Sequence, residues 1–329
     1  MKPDDAQDRV AIGIDVGGTK VLGVVIDEGG TVIAEERRRT LNDGEALLDD
    51  VAELCEKLIS SDVSTATTTG QAQVATVGVG VPGLVDRQGV LKFAPNLLGA
   101  NGTAVKDGLE ARLGGRAVVQ VDNDATCTAA GECAYGAAAG RLDVLFVTVG
   151  TGIGGGVLTG GRVLRGGGNL AGEIGHMVVN PHGPPCGCGR RGCWERYASG
   201  SGLGRIARDY AYAGQAGRVV ALAGGDSDAV RGEHVVRAAA EADESGLAIL
   251  GEFAFWLALG LANLANILDP EMIVIGGGLV RAGDVLFAPV RAAFASQLEG
   301  ASLRPEIDIV AASLGERGGA IGSAVLGRG

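Results

Sequence analysis

Residues 10–27 read VAIGIDVGGTKVLGVVID, and residues 144–158 read VLFVTVGTGIGGGVL. Each is an apolar strand, a glycine turn and a second apolar strand. The first turns at Gly17-Gly18 and the second at Gly150-Thr151-Gly152. A hairpin with a glycine- and hydroxyl-bearing turn, present once in each half, predicts a duplicated architecture. Between the two hairpins lie a helix-like stretch (Gly44–Ile59), a strand (Ala75–Val81) ending at Pro82-Gly83, and a strand (Ala117–Val121) running into Asp122-Asn123-Asp124.

Further along, Gly202–Leu268 is alanine-rich with helical periodicity, and Asp269-Pro270 stops it. Glu271–Ile275 reads as a buried strand leading into Gly276-Gly277-Gly278, and Glu306–Val310 as a final strand before the small-residue helix Gly318–Leu326. Strands alternating with helices predict an α/β fold. The junction between domains is expected near Val121–Asp124. That gives a smaller N-terminal α/β domain over 1–122 and a larger one over 123–311, with the C-terminal helix (about 312–329) folding back onto the first.

A length of 329 residues suits two domains, and 46% hydrophobic with 20% charged residues is the balance of a chain with a buried core. The net charge of −11 argues against nucleic acid or an acidic membrane as partner. The opening MKPDDAQDRV is polar and acidic, without the apolar centre of a signal peptide, so a cytoplasmic protein is expected. Phe253–Leu268 is the longest uncharged apolar run. It is shorter than the roughly 20 residues of a membrane span and is interrupted by Asn263 and Asn266, so it reads as a buried helix.

Asp15-Val16-Gly17-Gly18-Thr19-Lys20 is suited to phosphate. Glycines let backbone N–H groups approach oxygens, Thr19 and Lys20 add a donor and a charge, and Asp15 suits Mg²⁺. The spacing is not that of a Walker A loop, and a plain hairpin turn uses the same glycines. Thr151 and Gly152 repeat the chemistry in the second turn, and two such turns can grip one polyphosphate chain. Asp124, at the start of a helical run, lies where the exposed amides favour an ionised carboxylate, which suits a general base.

The densest signal is EIGHMVVNPHGPPCGCGRRGCWE, residues 173–195. Cys186, Cys188 and Cys193 fall within eight positions on a Gly/Pro-rich loop. His176 upstream completes a Cys₃His zinc set, with His182 as the rival fourth ligand. Glu173 and Glu195 bracket the ligands, so a metal that fixes the loop also aims both carboxylates.

The paired turns resemble the sugar kinase and actin superfamily. The resemblance implies a duplicated actin-like, ribonuclease H-like ATPase fold, with ATP in a cleft between two domains and Gly277 and Gly278 near the adenosine. The segments ExGH, CxCGxxGCxE and DxGGTK together resemble the ROK family of repressors, open-reading-frame proteins and sugar kinases, over nearly the whole chain. That resemblance implies a hexose kinase of the zinc-bearing, actinobacterial glucokinase type. Its sugar contacts are expected at Asn96, Asn123, Asp124, Glu173, His176 and Glu195, with Asp124 as base and a dimer or tetramer as the assembly. Thr126-Cys127 after Ala125, and Leu97-Leu98-Gly99 after Asn96 without a tryptophan, depart from the family pattern near the sugar. Kinases for fructose, N-acetylmannosamine or N-acetylglucosamine, and a polyphosphate-using glucokinase, remain alternatives. A DNA-binding repressor is disfavoured by the acidic charge and the nine residues before the first strand. A non-catalytic sugar sensor is disfavoured by the intact Asp124 and both turns.

Overall fold

The computed structural model describes residues 10–61 and 76–329. The polar opening at 1–9 and Ala75, the expected start of a strand, lie outside them. In chain order the described residues form β1 (Ala11–Val16), β2 (Lys20–Ile26), β3 (Val32–Arg39), α1 (Gly44–Ser61), β4 (Thr76–Val81), β5 (Leu84–Val85) and β6 (Leu91–Phe93). Next come α2 (Val105–Arg112), β7 (Val118–Asn123), α3 (Asp124–Tyr135), β8 (Val144–Val149), β9 (Ile153–Thr159), β10 (Arg162–Val163), α4 (Glu195–Ala198) and α5 (Gly200–Tyr212). The chain ends with α6 (Gly217–Leu222), α7 (Gly232–Ala240), α8 (Glu244–Leu268), β11 (Met272–Gly276), α9 (Asp284–Gln297), β12 (Asp308–Ala311) and α10 (Gly318–Gly327).

Two compact units divide these elements. One holds the described residues up to Leu142 with Gly156–Gly172 and Ser313–Gly329; the other holds Asp143–Gly155 with Glu173–Ala312. The expected junction at Val121–Asp124 therefore falls inside the first unit. The reason is packing: α3 lies against α10, and a Cβ at Gly322 would sit 1.6 Å from the Cys127 carbonyl oxygen. A helix held that closely cannot belong elsewhere.

In the first unit the sheet order is β3-β2-β1-β4-β7. The β1–β2 and β2–β3 pairs are antiparallel, and β1–β4 and β4–β7 are parallel. Ile and Val side chains of β1, β4 and β7 pack with Leu and Val side chains of α1 and α2 on one face. On the other face Ala11, Leu22, Val24 and Ile26 meet Ala320, Ile321 and Ala324 of α10. That helix is built from small residues because the sheet meets its backbone: a Cβ at Gly13 would lie 1.8 Å from the Ala320 oxygen, and one at Gly78 1.7 Å from the Ser323 oxygen.

The edge strand β3, VIAEERRR, has no counterpart in the sequence reading. Its charges disguise it, and they suit an edge, where they discourage pairing with other chains. Arg38 pairs with Asp50 at 2.7 Å, and Lys57 of α1 reaches Glu36 at 2.7 Å.

The second sheet runs β10-β9-β8-β11-β12, with β8–β11 and β11–β12 parallel, repeating the first order strand for strand. By length and composition α8 passes for a membrane span. However, 56% of its most apolar window is buried, and Phe253, Leu257 and Leu261 are fully enclosed. It is the core helix of the second unit. Asp243 caps its start by accepting the Gly246 N–H, and Asp269 ends it in the left-handed region before Pro270.

Candidate active site and metal centre

Parallel strands end on one edge of a sheet, where α/β proteins gather their ligand groups. In the first unit β1 brings Asp15 to that edge, opposite Gly80 of β4, which is in turn opposite Asp122 of β7. The three consecutive residues Asp122, Asn123 and Asp124 then take three different tasks. Asp122, buried, accepts the Arg165 Nε–H at 2.7 Å. Asn123 is the N-cap of α3: its Oδ1 accepts the N–H groups of Ala125 (2.9 Å) and Thr126 (3.1 Å), and its Nδ2 donates to the Gly83 oxygen at 3.1 Å. One amide hydrogen of Asn123 is left for a ligand. Asp124 is the first helical residue, with Oδ1 2.8 Å from the Ala125 nitrogen.

Burial, then the charge of Asp124, pushes Asp15 up to about 7, against the pull of Lys20. Gly319 of α10 leaves the room: a Cβ there would lie 2.7 Å from the Asp15 carboxyl carbon. Two mutually repelling carboxylates, one buried, form a donor set that a divalent cation would relieve. The residues fit Mg²⁺.

The first glycine turn is closed by the Gly17 N–H donating to the Lys20 oxygen at 2.8 Å. Thr40 steadies it, its hydroxyl donating to the Gly17 oxygen at 2.7 Å and its N–H to the Thr19 oxygen. Gly18 sits beside the exposed Asn96, 3.3 Å separating a Gly18 Cβ from that of Asn96. The expected sugar contact and the expected phosphate turn are thus neighbours. Lys20 is held by Glu316 at 2.8 Å, a carboxylate that also takes Arg37. A partner 296 positions away leaves no local signal.

In the second unit the Gly150 N–H donates to the Gly152 oxygen at 3.0 Å, and the Gly200 N–H to the Gly150 oxygen at 2.8 Å. Thr151 and Gly278 line a cavity of about 920 Å³ together with Arg208, Arg231 and Arg237, cationic residues that the sequence reading missed. Gly277 does not line it. With φ of 92° and no room for a Cβ against the Val149 backbone, it makes the bend that presents Gly278. Gly152 instead faces Glu195, whose Oε2 lies 2.8 Å from where a Gly152 Cβ would stand.

The metal ligands meet because short antiparallel bridges fold their loop on itself: Val178 opposite Cys193, and Pro185 opposite Arg191. Trp194, fully buried with its indole N–H on the Trp256 oxygen at 2.8 Å, anchors the loop to α8. The ligand atoms of His176, Cys186, Cys188 and Cys193 all lie within 4.8 Å of one another. Cys188 and Cys193 are 3.5 Å apart, and Cys186 is 3.7 Å from His176 Nδ1. A tetrahedral zinc spaces its ligands by about 3.7 Å, so the set fits. His182 is exposed and outside the cluster, and His176 is the histidine that lies with the three sulfurs.

With Nδ1 turned to the sulfurs, Nε2 of His176 points toward Glu173 at 3.9 Å, and Glu195 Oε1 lies 3.0 Å from Cys186. Burial pushes the Glu173 carboxyl up, with His176 pulling against it. Burial also pushes the Cys186 thiol up to about 12, whereas Cys188, despite its own desolvation, is drawn down to about 6 by the Arg190 N–H and guanidinium and the neighbouring thiols.

Among known proteins, the chain is 37% identical to the glucokinase of Streptomyces coelicolor over 322 residues, 97% of this chain and 98% of that one. Solved structures that share its fold include two of the ROK family. The ROK family glucokinase from Streptomyces griseus, in complex with glucose and AMPPNP, has a TM-score of 0.78 at 37% identity, covering 97% of this chain and 99% of that one. The ROK hexokinase from Thermus thermophilus has a TM-score of 0.80 at 31% identity, covering 97% and 98%. The repeated sheet order is thus that of the actin-like ATPase fold. The ROK family model matches residues 11–329, so with both sheets, both glycine turns and the metal loop inside the match, the chain belongs to the ROK family.

Proposed function

We propose that the chain is an ATP-dependent glucokinase that phosphorylates the 6-hydroxyl of glucose. The observation that carries the reading is the pair at the edge of the first sheet: Asp124 opening α3, close enough to Asp15 to raise its pKa. Phosphoryl transfer has a loose transition state, so the protein's work is positioning and charge. Asp124 orients the sugar hydroxyl and accepts its proton. Asp15 holds Mg²⁺, which supplies neutralisation of the phosphate charge when bound.

The phosphates lie along Gly17, Gly18, Thr19, Lys20, Thr151 and Gly152, with the arginine-lined cavity beside Gly278 for the nucleoside. Lys20 serves them after leaving Glu316, an exchange of one exposed ion pair for another. Glucose hydroxyls bond to Asn96, the spare Asn123 amide, Glu173, His176 Nε2 and Glu195, each needing a fixed partner. Zinc on His176, Cys186, Cys188 and Cys193 has a structural task, stiffening the loop that bears Glu173 and Glu195. A cytoplasmic location and a dimer or tetramer belong to the same proposal.

The test is a coupled assay of purified protein against glucose, mannose, fructose, N-acetylmannosamine and N-acetylglucosamine, with ATP and polyphosphate as donors. The highest kcat/KM is expected for glucose with ATP. Faster turnover of another hexose would replace the substrate, and the absence of hexose-dependent ADP formation would end the reading.

A further inference from the structure

We propose that Arg165 is a positioning residue for this reaction, pinning the segment that runs into Glu173 and His176 to the strand end from which Asp124 emerges. The inference rests on the glucokinase reading. Residues 164–173 contain no helix or strand and include Gly166-Gly167-Gly168, so they have much backbone freedom to lose. Three side-chain bonds restrain them. Arg165 Nε donates to Asp122 Oδ2 at 2.7 Å, Arg87 donates to the Gly166 oxygen at 3.0 Å, and Asn169 Nδ2 donates to the Val85 oxygen at 3.2 Å.

Of the three, only the Arg165 bond joins two charges, and such bonds are the stronger kind. It also ends on the most informative partner. Asp122 is only 7% exposed, and its other oxygen accepts the Asn123 N–H at 3.0 Å. One buried carboxylate thus holds both the backbone beside Asp124 and the segment leading to Glu173. Without Arg165 the buried carboxylate loses its charged partner and keeps the Asn123 N–H, and the segment loses its firmest restraint.

Arg165 touches none of the proposed sugar or nucleotide groups, so its effect must pass through alignment. The pair borders a cavity of about 1150 Å³, and the Arg165 side chain is 42% exposed, so a free guanidinium ion can reach the vacated place. The test uses Arg165→Ala and Arg165→Lys in the full chain. For Arg165→Ala, kcat is expected to fall about 10- to 100-fold with a raised hexose KM, while the ATP KM and the zinc content stay at wild-type values. Arg165→Lys keeps the single N–H···O contact and most of the activity. Millimolar guanidinium restores part of the activity of Arg165→Ala and none is gained by wild type.

A kcat and hexose KM within twofold of wild type would overturn the proposal. So would an ATP KM rising in step with the hexose KM, or failure of both rescues. Amide hydrogen exchange separates this outcome from failure of the glucokinase reading. If no hexose is turned over even by wild type, faster exchange over 164–173 in Arg165→Ala still supports the pinning, and unchanged exchange removes it.

Discussion

The two sheets share one strand order and differ in what their edges carry. In the first, β1 ends with Asp15 and β7 runs into Asp122, Asn123 and Asp124. In the second, Thr148 stands opposite Gly276 just as Asp15 stands opposite Gly80, and β12 runs into Ala312, Ser313 and Leu314. One edge is loaded with carboxylates. The other has none at the matching strand ends, and its cavity holds arginines instead. A duplicated scaffold gives two equivalent places, and the side chains at them differ: carboxylates at the first edge, arginines in the cavity of the second. Fold similarity alone does not say which half does which.

The division breaks most visibly at Asp124. Asp124→Asn keeps the shape and the backbone bond at the start of α3 while removing the base. The expected loss is about 10²- to 10⁴-fold in kcat, with hexose KM and melting temperature little changed. Steady-state kinetics beside a thermal melt decides it, and a kcat near wild type removes Asp124 from the chemistry.

The glycines of the two sheets sharpen the contrast in packing. A Cβ at Gly78 meets the Ser323 backbone at 1.7 Å, whereas one at Gly276 meets the tip of the Phe146 ring at 2.9 Å. Backbone cannot step aside and a ring can. Gly78→Ala is expected to cost about 3 kcal/mol or more, and Gly276→Ala about 1 kcal/mol. Denaturant unfolding of both variants checks the order, and equal costs would mean that α10 has room to move.

The candidate metal loop bears Glu173 and Glu195, both proposed hexose contacts, so its loss should be felt by the hexose before the nucleotide. Cys193→Ala is expected to abolish the roughly one zinc per chain and raise the hexose KM about 10- to 100-fold while sparing the ATP KM. Metal analysis and kinetics on the same sample test this. Full activity without metal would refute the site.

What could be read in the sequence was what lies close together in it. Both hairpins declared themselves because strand, glycine turn and strand are contiguous. The cysteines declared themselves because their loop closes over eight residues, and Asp124 because a helix start is a local feature. The charged strand β3 escaped because its apolar alternation is overwritten by Glu35 through Arg39. Lys20 with Glu316 and Arg165 with Asp122 escaped because no periodicity links residues 296 or 43 positions apart. The unit boundary escaped for a related reason. Small residues in α10 signal a tight contact without naming the partner, and the partner, α3, is what carries the first unit on to Leu142.

The smallest expected effect bears on why the first edge tolerates its carboxylates at all. Burial, with Asp124 beside it, pushes Asp15 from its ordinary value of 3.8 up to about 7 in the folded chain, so the native state binds this proton more tightly. The stability that Asp15 contributes is therefore full below the unfolded value and is lost as pH rises through 7, where a buried charge must face Asp124. Asp15→Asn removes that charge and should stabilise the metal-free protein at pH 8 by about 1–2 kcal/mol, a rise of about 2–6 °C in melting temperature. The gap should close as pH falls from 7 toward 4, since wild-type Asp15 is then protonated. Added Mg²⁺ should stabilise wild type and not the variant, because only wild type offers the paired carboxylates. Melts of both proteins across pH, with and without Mg²⁺, test this together: a variant no more stable than wild type at pH 8 would mean that the first edge bears no electrostatic strain, and that the contrast between the two sheets is one of composition only.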